Sequence, residues 1–283
     1  VNDKERKMTE IWANHIGPTG QPDMDYWHYF AQRLANLATI PKDAVILDVG
    51  TCDGNVLFKA MDKAGPLSVG VGIDIDDYGF GDGIAEASRK GMNQLGFAQM
   101  DAAFLGFPSE TFDCVLANFV GWDDYFNFNR MEFLIPDVRT PEIMRVLKPG
   151  GQLGIGFWIK QDDIDWMAEA FKRHLPGIAN WDHLLAYGKE KPEGYEIILG
   201  DSGFQDIHTH VERTPFVLPD AESWWEQMKH ATSGHFRLIT DPEIIEGFKV
   251  KVLSDLQDSQ PDGEILFHKT VAYAFGTKPK KRQ

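Results

Sequence analysis

The sequence predicts an α/β fold, a mostly parallel sheet with helices on both faces. Two observations predict it. The apolar run Val45-Ile46-Leu47-Asp48-Val49 opens into Gly50-Thr51-Cys52-Asp53-Gly54, and a second run, Val71-Gly72-Ile73, stops at Asp74. Short apolar runs bounded by Gly read as buried parallel strands. Runs of this kind then alternate with helix-length segments through the middle of the chain, which implies right-handed crossovers between parallel strands.

Taken in order, residues 1–16 are polar and helical, with Ile11 and Trp12 as the apolar side. Gly17-Pro18-Thr19-Gly20-Gln21-Pro22 breaks that helix. Asp23 caps a second helix from Met24 to about Leu37, with Trp27, Phe30, Leu34 and Leu37 near helical spacing. Strands are expected near 44–49, 68–74, 97–101, 112–118 and 152–158, and helices near 54–64, 82–93, 137–147 and 162–175. Tyr195–Leu199 reads as a helix feeding a sixth strand near 205–213, and a last strand lies near 265–276. The stretch 214–262, with Trp224-Trp225, Met228, His230, His235 and a helix near 241–257, is too long for a plain loop. It reads as a helical lid.

The first turn allows a ligand close to the backbone, because Gly has no Cβ. Asp74, ending the next strand, is placed to take two ribose hydroxyls, so a nucleoside-containing cofactor is expected at the carboxyl edge of the sheet. The dinucleotide fingerprint G-x-G-x-x-G would need Gly where Cys52 and Asn55 stand. A pyrophosphate also prefers a helix N-terminus free of negative charge, and Asp48 and Asp53 flank this turn. A sulfonium and an α-ammonium would sit easily there.

Read as D-x-G-x-x-x-G, the stretch supplies Asp48, Gly50 and Gly54. It resembles the first motif of the class I S-adenosylmethionine (SAM) dependent methyltransferases, with Cys52 where that motif usually has a further Gly. The resemblance continues through Gln99-Met100-Asp101-Ala102, Thr111–Asn118, Leu147-Lys148-Pro149-Gly150-Gly151, Ser202-Gly203-Phe204 and Val271–Phe275. It covers residues 41–160 strongly and 195–276 weakly, and is nearest to small-molecule enzymes similar to the ubiquinone and menaquinone biosynthesis methyltransferases. It implies a Rossmann-like sheet of seven strands, with the last pairing antiparallel at the edge. It implies SAM as cofactor and S-adenosylhomocysteine (SAH) as product. The cofactor residues it points to are Asp48, Gly50, Thr51, Cys52, Gly54, Asp74, Ile75, Asp101, Ala102, Asn118 and Phe119. The chain then divides into N-terminal cover helices (1–40), a SAM-binding core (41–175), a helical connection with the sixth strand (176–213), the lid (214–262), and the last strand with a basic tail (263–283). Rival readings are a nicotinamide oxidoreductase, opposed by the missing Gly positions, and a non-catalytic SAM-fold binding protein, opposed by the intact cleft residues.

The formal net charge of −15 disfavours a nucleic-acid substrate, which needs a positive footprint. The basic run Lys278-Pro279-Lys280-Lys281-Arg282 reads as a solvated tail. No leader and no apolar run of membrane-spanning length is apparent. Cys52 and Cys114 sit at sheet levels separated by about 13 Å, at about 3.3 Å per residue, too far for a disulfide. Free thiols point to a reducing cytoplasm. The sequence is silent on oligomeric state.

Methyl transfer needs the acceptor held in line with the methyl and water kept out, so no fixed catalytic residue is required. His28 is the candidate base, with Asp123, Asp124, His230 and His235 as weaker ones. His208 and His210 share one strand face, without the further ligands a metal would need, so no metal is expected. Tyr26, Trp27, Trp122, Trp224, Trp225 and His235 are the candidate walls of a chamber for a flat or lipophilic small molecule. The competing reading of the lid tryptophans is ordinary packing.

Overall fold

The computed structural model describes residues 26–177, 190–231, 241–260 and 264–281, together with Phe236 and Ile239. Nine strands and eight helices are described: α1 (Tyr26–Leu37), β1 (Val45–Val49), α2 (Asn55–Ala64), β2 (Val69–Asp74), α3 (Phe80–Lys90), β3 (Leu95–Gln99), β4 (Phe112–Asn118), β5 (Phe126–Asn127), β6 (Glu132–Phe133), α4 (Arg139–Val146), β7 (Leu147–Gln161), α5 (Asp162–His174), α6 (Pro192–Asp201), β8 (Gln205–Leu218), α7 (Ala221–Ala231), α8 (Pro242–Ser259) and β9 (Ile265–Thr277). Seven of the strands form one sheet in the order β3-β2-β1-β4-β7-β9-β8. The pairings β1–β2, β1–β4, β2–β3 and β4–β7 are parallel. The fold is therefore the α/β one expected.

Two expectations need correction. The last strand does not close the edge: β9 lies between β7 and β8, and β8 is the edge strand. Its burial explains the placement, since Val271–Phe275 is solidly buried while Gln205–Val211 of β8 is largely exposed. The helix expected at 82–93 ends at Lys90, because Gly91 takes a left-handed conformation (φ 68°) and its N–H caps Ala87 and Ser88 carbonyls. The two-residue strands β5 and β6 pair antiparallel as a ribbon with no forecast in the sequence; at two residues each, they carry no readable period. The start of the basic tail is anchored at Lys278, while Lys280 and Lys281 are exposed, as a solvated tail would be. Lys278 N–H donates to Gly151 O (2.8 Å) and its Nζ to Leu147 O (2.7 Å), and Lys281 pairs with Glu110 (2.8 Å).

The chain falls into two compact units. Of the described residues, one holds 27–157, 190–211 and 271–281; the other holds Tyr26, 158–177 and those described within 212–270. The first contains β1 to β6 and most of the sheet core. Its centre is Ile46, Leu47, Val115, Leu116, Ile155 and Phe157, all at 0 % exposure. Alternating Gly lets bulky neighbours approach there: a Cβ on Gly154 would stand 2.9 Å from the Phe275 ring.

The second unit is built around α5, α7 and α8. Phe171 stacks on Phe248 (centroids 4.6 Å, 13°), and Trp225 meets Phe236 and Phe248 edge-on. Asp241 caps α8, accepting from Glu243 N–H at 2.9 Å. This unit also buries a charge pair. Lys269 Nζ donates to both carboxylate oxygens of Asp163 (2.9 and 2.7 Å) and to Gln161 Oε1 (3.0 Å), with the Tyr26 ring 4.5 Å away. With three acceptors and an aromatic face, the ammonium recovers the hydration it loses on burial.

Candidate active site

The site is built at the carboxyl ends of β1 to β4. The chain leaves β1 through alternating left-handed residues: Gly50 (φ 68°), Cys52 (φ 48°) and Gly54 (φ 87°). The turn is pinned by Thr51 N–H to Ile73 O (3.0 Å) and Gly54 N–H to Thr51 O (2.7 Å). A Cβ on Gly50 would lie 2.6 Å from Val120 Cγ2, so the β1 turn and the segment after β4 can touch only through Gly. Cys52 holds a conformation that costs an L-residue about 1–2 kcal/mol. That explains why a Gly is usual at its place.

Asp48 lies in the buried part of β1, next to its last residue, at 1 % exposure. Its Oδ2 accepts the Thr51 hydroxyl at 2.7 Å, while its Oδ1 is buried with no partner among the described residues. Burial pushes the carboxyl up to about 7; the hydrogen bonds from the Thr51 hydroxyl and the Leu57 backbone oppose this, and the charges of Asp53 and Asp74 add to it. Asp74, at the end of β2, accepts Cys52 N–H at Oδ2 (3.0 Å) and Asp76 N–H at Oδ1 (3.3 Å). Next to it Ile75 exposes 70 % of its surface, and its carbonyl accepts from Gln99 Nε2 at 2.9 Å. After β3, Met100 N–H bonds Asp74 O (2.7 Å), and Asp101 Oδ1 accepts Ala103 N–H (2.8 Å), which fixes Ala102 between them. Both thiols are unpaired, as expected. Burial pushes Cys52 up to about 11 and Cys114 up to about 12, so neither is a nucleophile near neutrality.

At the end of β4, Asn118 Oδ1 is buried without a partner among the described residues, pressed against Gly156. Phe119 is left-handed (φ 60°), and its N–H donates to Gly156 O at 2.7 Å. A strained non-Gly conformation of this kind persists only where the surrounding structure holds it. Its ring meets Trp27 edge-on at 5.6 Å. Beyond it, the loop is anchored by Trp122, fully buried, with Nε1 donating to Thr140 Oγ1 (3.0 Å) and the Arg139 guanidinium 4.9 Å over its ring. Glu190 Oε1 accepts both Trp122 N–H (2.9 Å) and the Tyr195 hydroxyl (2.6 Å).

The structure thus brings Asp48, Gly50, Thr51, Cys52, Gly54, Asp74, Ile75, Asp101, Ala102, Asn118 and Phe119 to one sheet edge. The substrate residues fare differently. Trp122 is fully buried and anchors the loop after β4 through Thr140 and Arg139. Trp224 and Trp225 are 0 % and 1 % exposed in the core of the helical unit, so they are packing residues. Their sequence neighbourhood could not tell the two roles apart, since both need large rings. Tyr26 is 3 % exposed and packs on Trp158, while Trp27 remains 39 % exposed. His28 is exposed on α1. His235 lies outside the described residues, as does the side chain of His230. His208 and His210 are exposed on β8 and stack on Phe275 and Tyr273, and no cluster that could hold a metal occurs among the described residues. Val120 and Glu190 escaped the sequence reading. Only the fold sets them beside Gly50 and Trp122.

Residues 40–187 match the family model described as a methyltransferase domain. Among curated relatives, the nocamycin O-methyltransferase of Saccharothrix syringae is 30 % identical over 134 residues, 47 % of this chain and 44 % of that one. The sterol 24-C-methyltransferase erg6 of Aspergillus fumigatus is 28 % identical over 222 residues, 76 % of this chain and 51 % of that one. The chain therefore spans about half the length of the first curated relatives it matches. Among solved structures, the [4+2]-cyclase SpnF has a TM-score of 0.56 at 19 % identity, covering 98 % of this chain and 93 % of that one. The Haemonchus contortus phosphoethanolamine N-methyltransferase 2, in complex with phosphomonomethylethanolamine and SAH, has a TM-score of 0.52 at 17 % identity, covering 96 % of this chain and 57 % of that one. These likenesses are of fold. With the family match over more than half of its residues, the chain belongs to the methyltransferase domain family.

Proposed function

We propose that the protein transfers a methyl group from SAM to a small organic acceptor, at O, N or C, and releases SAH. The observation that carries this is the buried Asp48 carboxyl, whose Oδ1 has no partner among the described residues, with the charges of Asp53 and Asp74 beside it. A site with an unmet demand for positive charge fits a sulfonium and an α-ammonium. It does not fit a pyrophosphate, which makes a nicotinamide cofactor the weaker reading.

When bound, SAM supplies a methyl carbon already activated by its cationic leaving group. The chain's own residues then bind and orient. Asp74 would accept hydrogen bonds from the ribose hydroxyls, Ile75 would offer an apolar face to the adenine, and Asp101 and Ala102 would border its edge. Asn118 and Phe119 would hold the methionine part, and Trp27 with Phe119 would keep water from the methyl. His28, exposed on the same helix as Trp27, is a candidate to handle a proton of the acceptor. Relatives named for nocamycin, sterols and a phytyl hydroquinone support a small organic acceptor. The negative charge of the chain argues against nucleic acid. No described helix is long and apolar enough to cross a membrane, and two unpaired thiols suit a reducing cytoplasm. Calorimetry with SAM, SAH and NAD tests the cofactor: micromolar binding of SAM and SAH with none of NAD is expected, and the reverse order would overturn the reading. SAH release against a panel of phenols, amines and enols tests turnover.

A further inference from the structure

We propose that Glu190 is the proton acceptor for the group that receives the methyl, and that this group is an acidic hydroxyl such as a phenol or enol. The inference rests on the methyl-transfer reading above.

Three features place Glu190 in this role. First, its location: Trp122 N–H, which Glu190 holds at 2.9 Å, lies two residues beyond Val120, whose side chain fills the space over Gly50. A Cβ on Gly121 would stand 3.8 Å from Glu190 Oε1. The carboxylate therefore borders the segment after β4, one or two residues beyond the Val120 that covers Gly50. Second, its orientation: Oε1 is fixed by two donors, Trp122 N–H and the Tyr195 hydroxyl, while Oε2 takes no hydrogen bond from any described residue. A base held by one oxygen and open at the other has the geometry of general-base catalysis. Third, its surroundings: burial pushes the Glu190 carboxyl up, and Asp123 on the loop adds to this, while Tyr195 on α6, Trp122 N–H and Arg139 on α4 oppose it. Arg139 does not neutralise Glu190 by contact, because its guanidinium donates to Gly121 O (2.6 Å) and Asp124 (3.1 Å). Tyr195 is itself pushed well above its usual range by burial, so it stays a neutral donor.

The acceptor class follows. A carboxylate can take a proton usefully from a hydroxyl whose own acidity is close, which favours phenols and enols over alcohols. The half-exposed Trp27 ring beside Phe119 offers a flat wall for such a group. In the step, Glu190 Oε2 takes the hydroxyl proton. The electron pair released on oxygen, or on the conjugated carbon, forms the bond to the methyl carbon. The carbon–sulfur bond breaks, and its pair stays on sulfur as the neutral thioether of SAH. Glu190 then returns the proton to water.

The test uses Glu190→Gln, which keeps an oxygen for Trp122 N–H and Tyr195 but cannot take a proton. The probe is para-nitrophenol, assayed in mildly acidic buffer where it is still the neutral phenol and its proton has to be taken. SAH binding by calorimetry is read first: its loss in the unaltered protein would sink the methyl-transfer reading itself, whereas its retention isolates the Glu190 proposal. With binding intact, SAH release in the presence of para-nitrophenol should fall about 10²–10⁴-fold in Glu190→Gln, with SAH affinity and melting temperature unchanged. Tyr195→Phe, which removes a bond favouring the charged form, should shift the acidic limb of the pH–rate profile to higher pH. In the SAH complex carrying carbon-13 glutamate, the Glu190 carboxyl resonance, assigned by its absence in Glu190→Gln, should move when para-nitrophenol is added. A carboxyl resonance indifferent to the phenol, or a Glu190→Gln enzyme as fast as the unaltered one, overturns the proposal.

Discussion

The Thr51 hydroxyl donates to one oxygen of Asp48 at 2.7 Å and leaves the other buried with no partner among the described residues. A half-satisfied carboxylate in a folded interior is costly, and a cationic ligand beside it would offset that cost.

That relationship sets a pH dependence. Burial lifts the Asp48 carboxyl from 3.8 to about 7, so the folded, ligand-free protein holds a proton there that the unfolded chain gives up. The group's contribution to stability is then largest below about pH 4, falls as pH rises, and levels off above about pH 7. A cationic ligand favours the charged form. SAM affinity should therefore rise with pH up to about 7, with close to one proton released per SAM bound below that point. Asp48→Asn should abolish the proton release, weaken SAM binding about ten- to a hundred-fold, and raise the melting temperature of the ligand-free protein at pH 8. Calorimetry in buffers of different ionisation enthalpy measures the release directly.

Asp74 carries the second cofactor contact. Hydrogen bonds to a charged group contribute about 1.5–3 kcal/mol, so Asp74→Ala should also weaken SAM by about ten- to a hundred-fold. Asp74 Oδ2 also holds Cys52 N–H, so the ribose contact is isolated with an adenosine-free analogue such as methionine, which should lose far less. Equal loss for both would show that the change acts through the loop alone.

Cys52 offers a test by stabilisation. Its φ of 48° is one that Gly adopts without penalty. Cys52→Gly should gain up to about 1 kcal/mol, less the entropy Gly adds to the unfolded chain. Cys52→Val should lose more than that, since branching at Cβ disfavours the left-handed region. Paired denaturant titrations of the two variants would settle the sign.

Trp224 and Trp225 predict stability effects, not chamber effects. Removing a fully buried Trp side chain costs about 3–5 kcal/mol. Trp224→Ala and Trp225→Ala should each lower the melting temperature by many degrees, while SAM affinity per folded molecule is kept. A changed acceptor KM without a stability loss would restore the chamber role for these rings.

Much was legible in the chain because it is local. The apolar runs at Val45–Val49 and Val71–Ile73, ending in Asp48 and Asp74, announced parallel strands and a cofactor edge, and the strands stand in that order and direction. Side-chain period and turn chemistry need no tertiary partner to be read. Only the tertiary structure decided the remainder. The sequence showed Val271–Phe275 as a strand but could not show that β8 would lie outside it, because lateral order depends on which faces find cover. It showed Trp122, Trp224 and Trp225 as large rings but not that all three would be sealed in packing, since burial is a property of neighbours. Glu190, far along the chain from Trp122, became a site candidate only when α6 brought it and Tyr195 to the end of β4. Long-range proximity of that kind leaves no periodic trace in a single sequence.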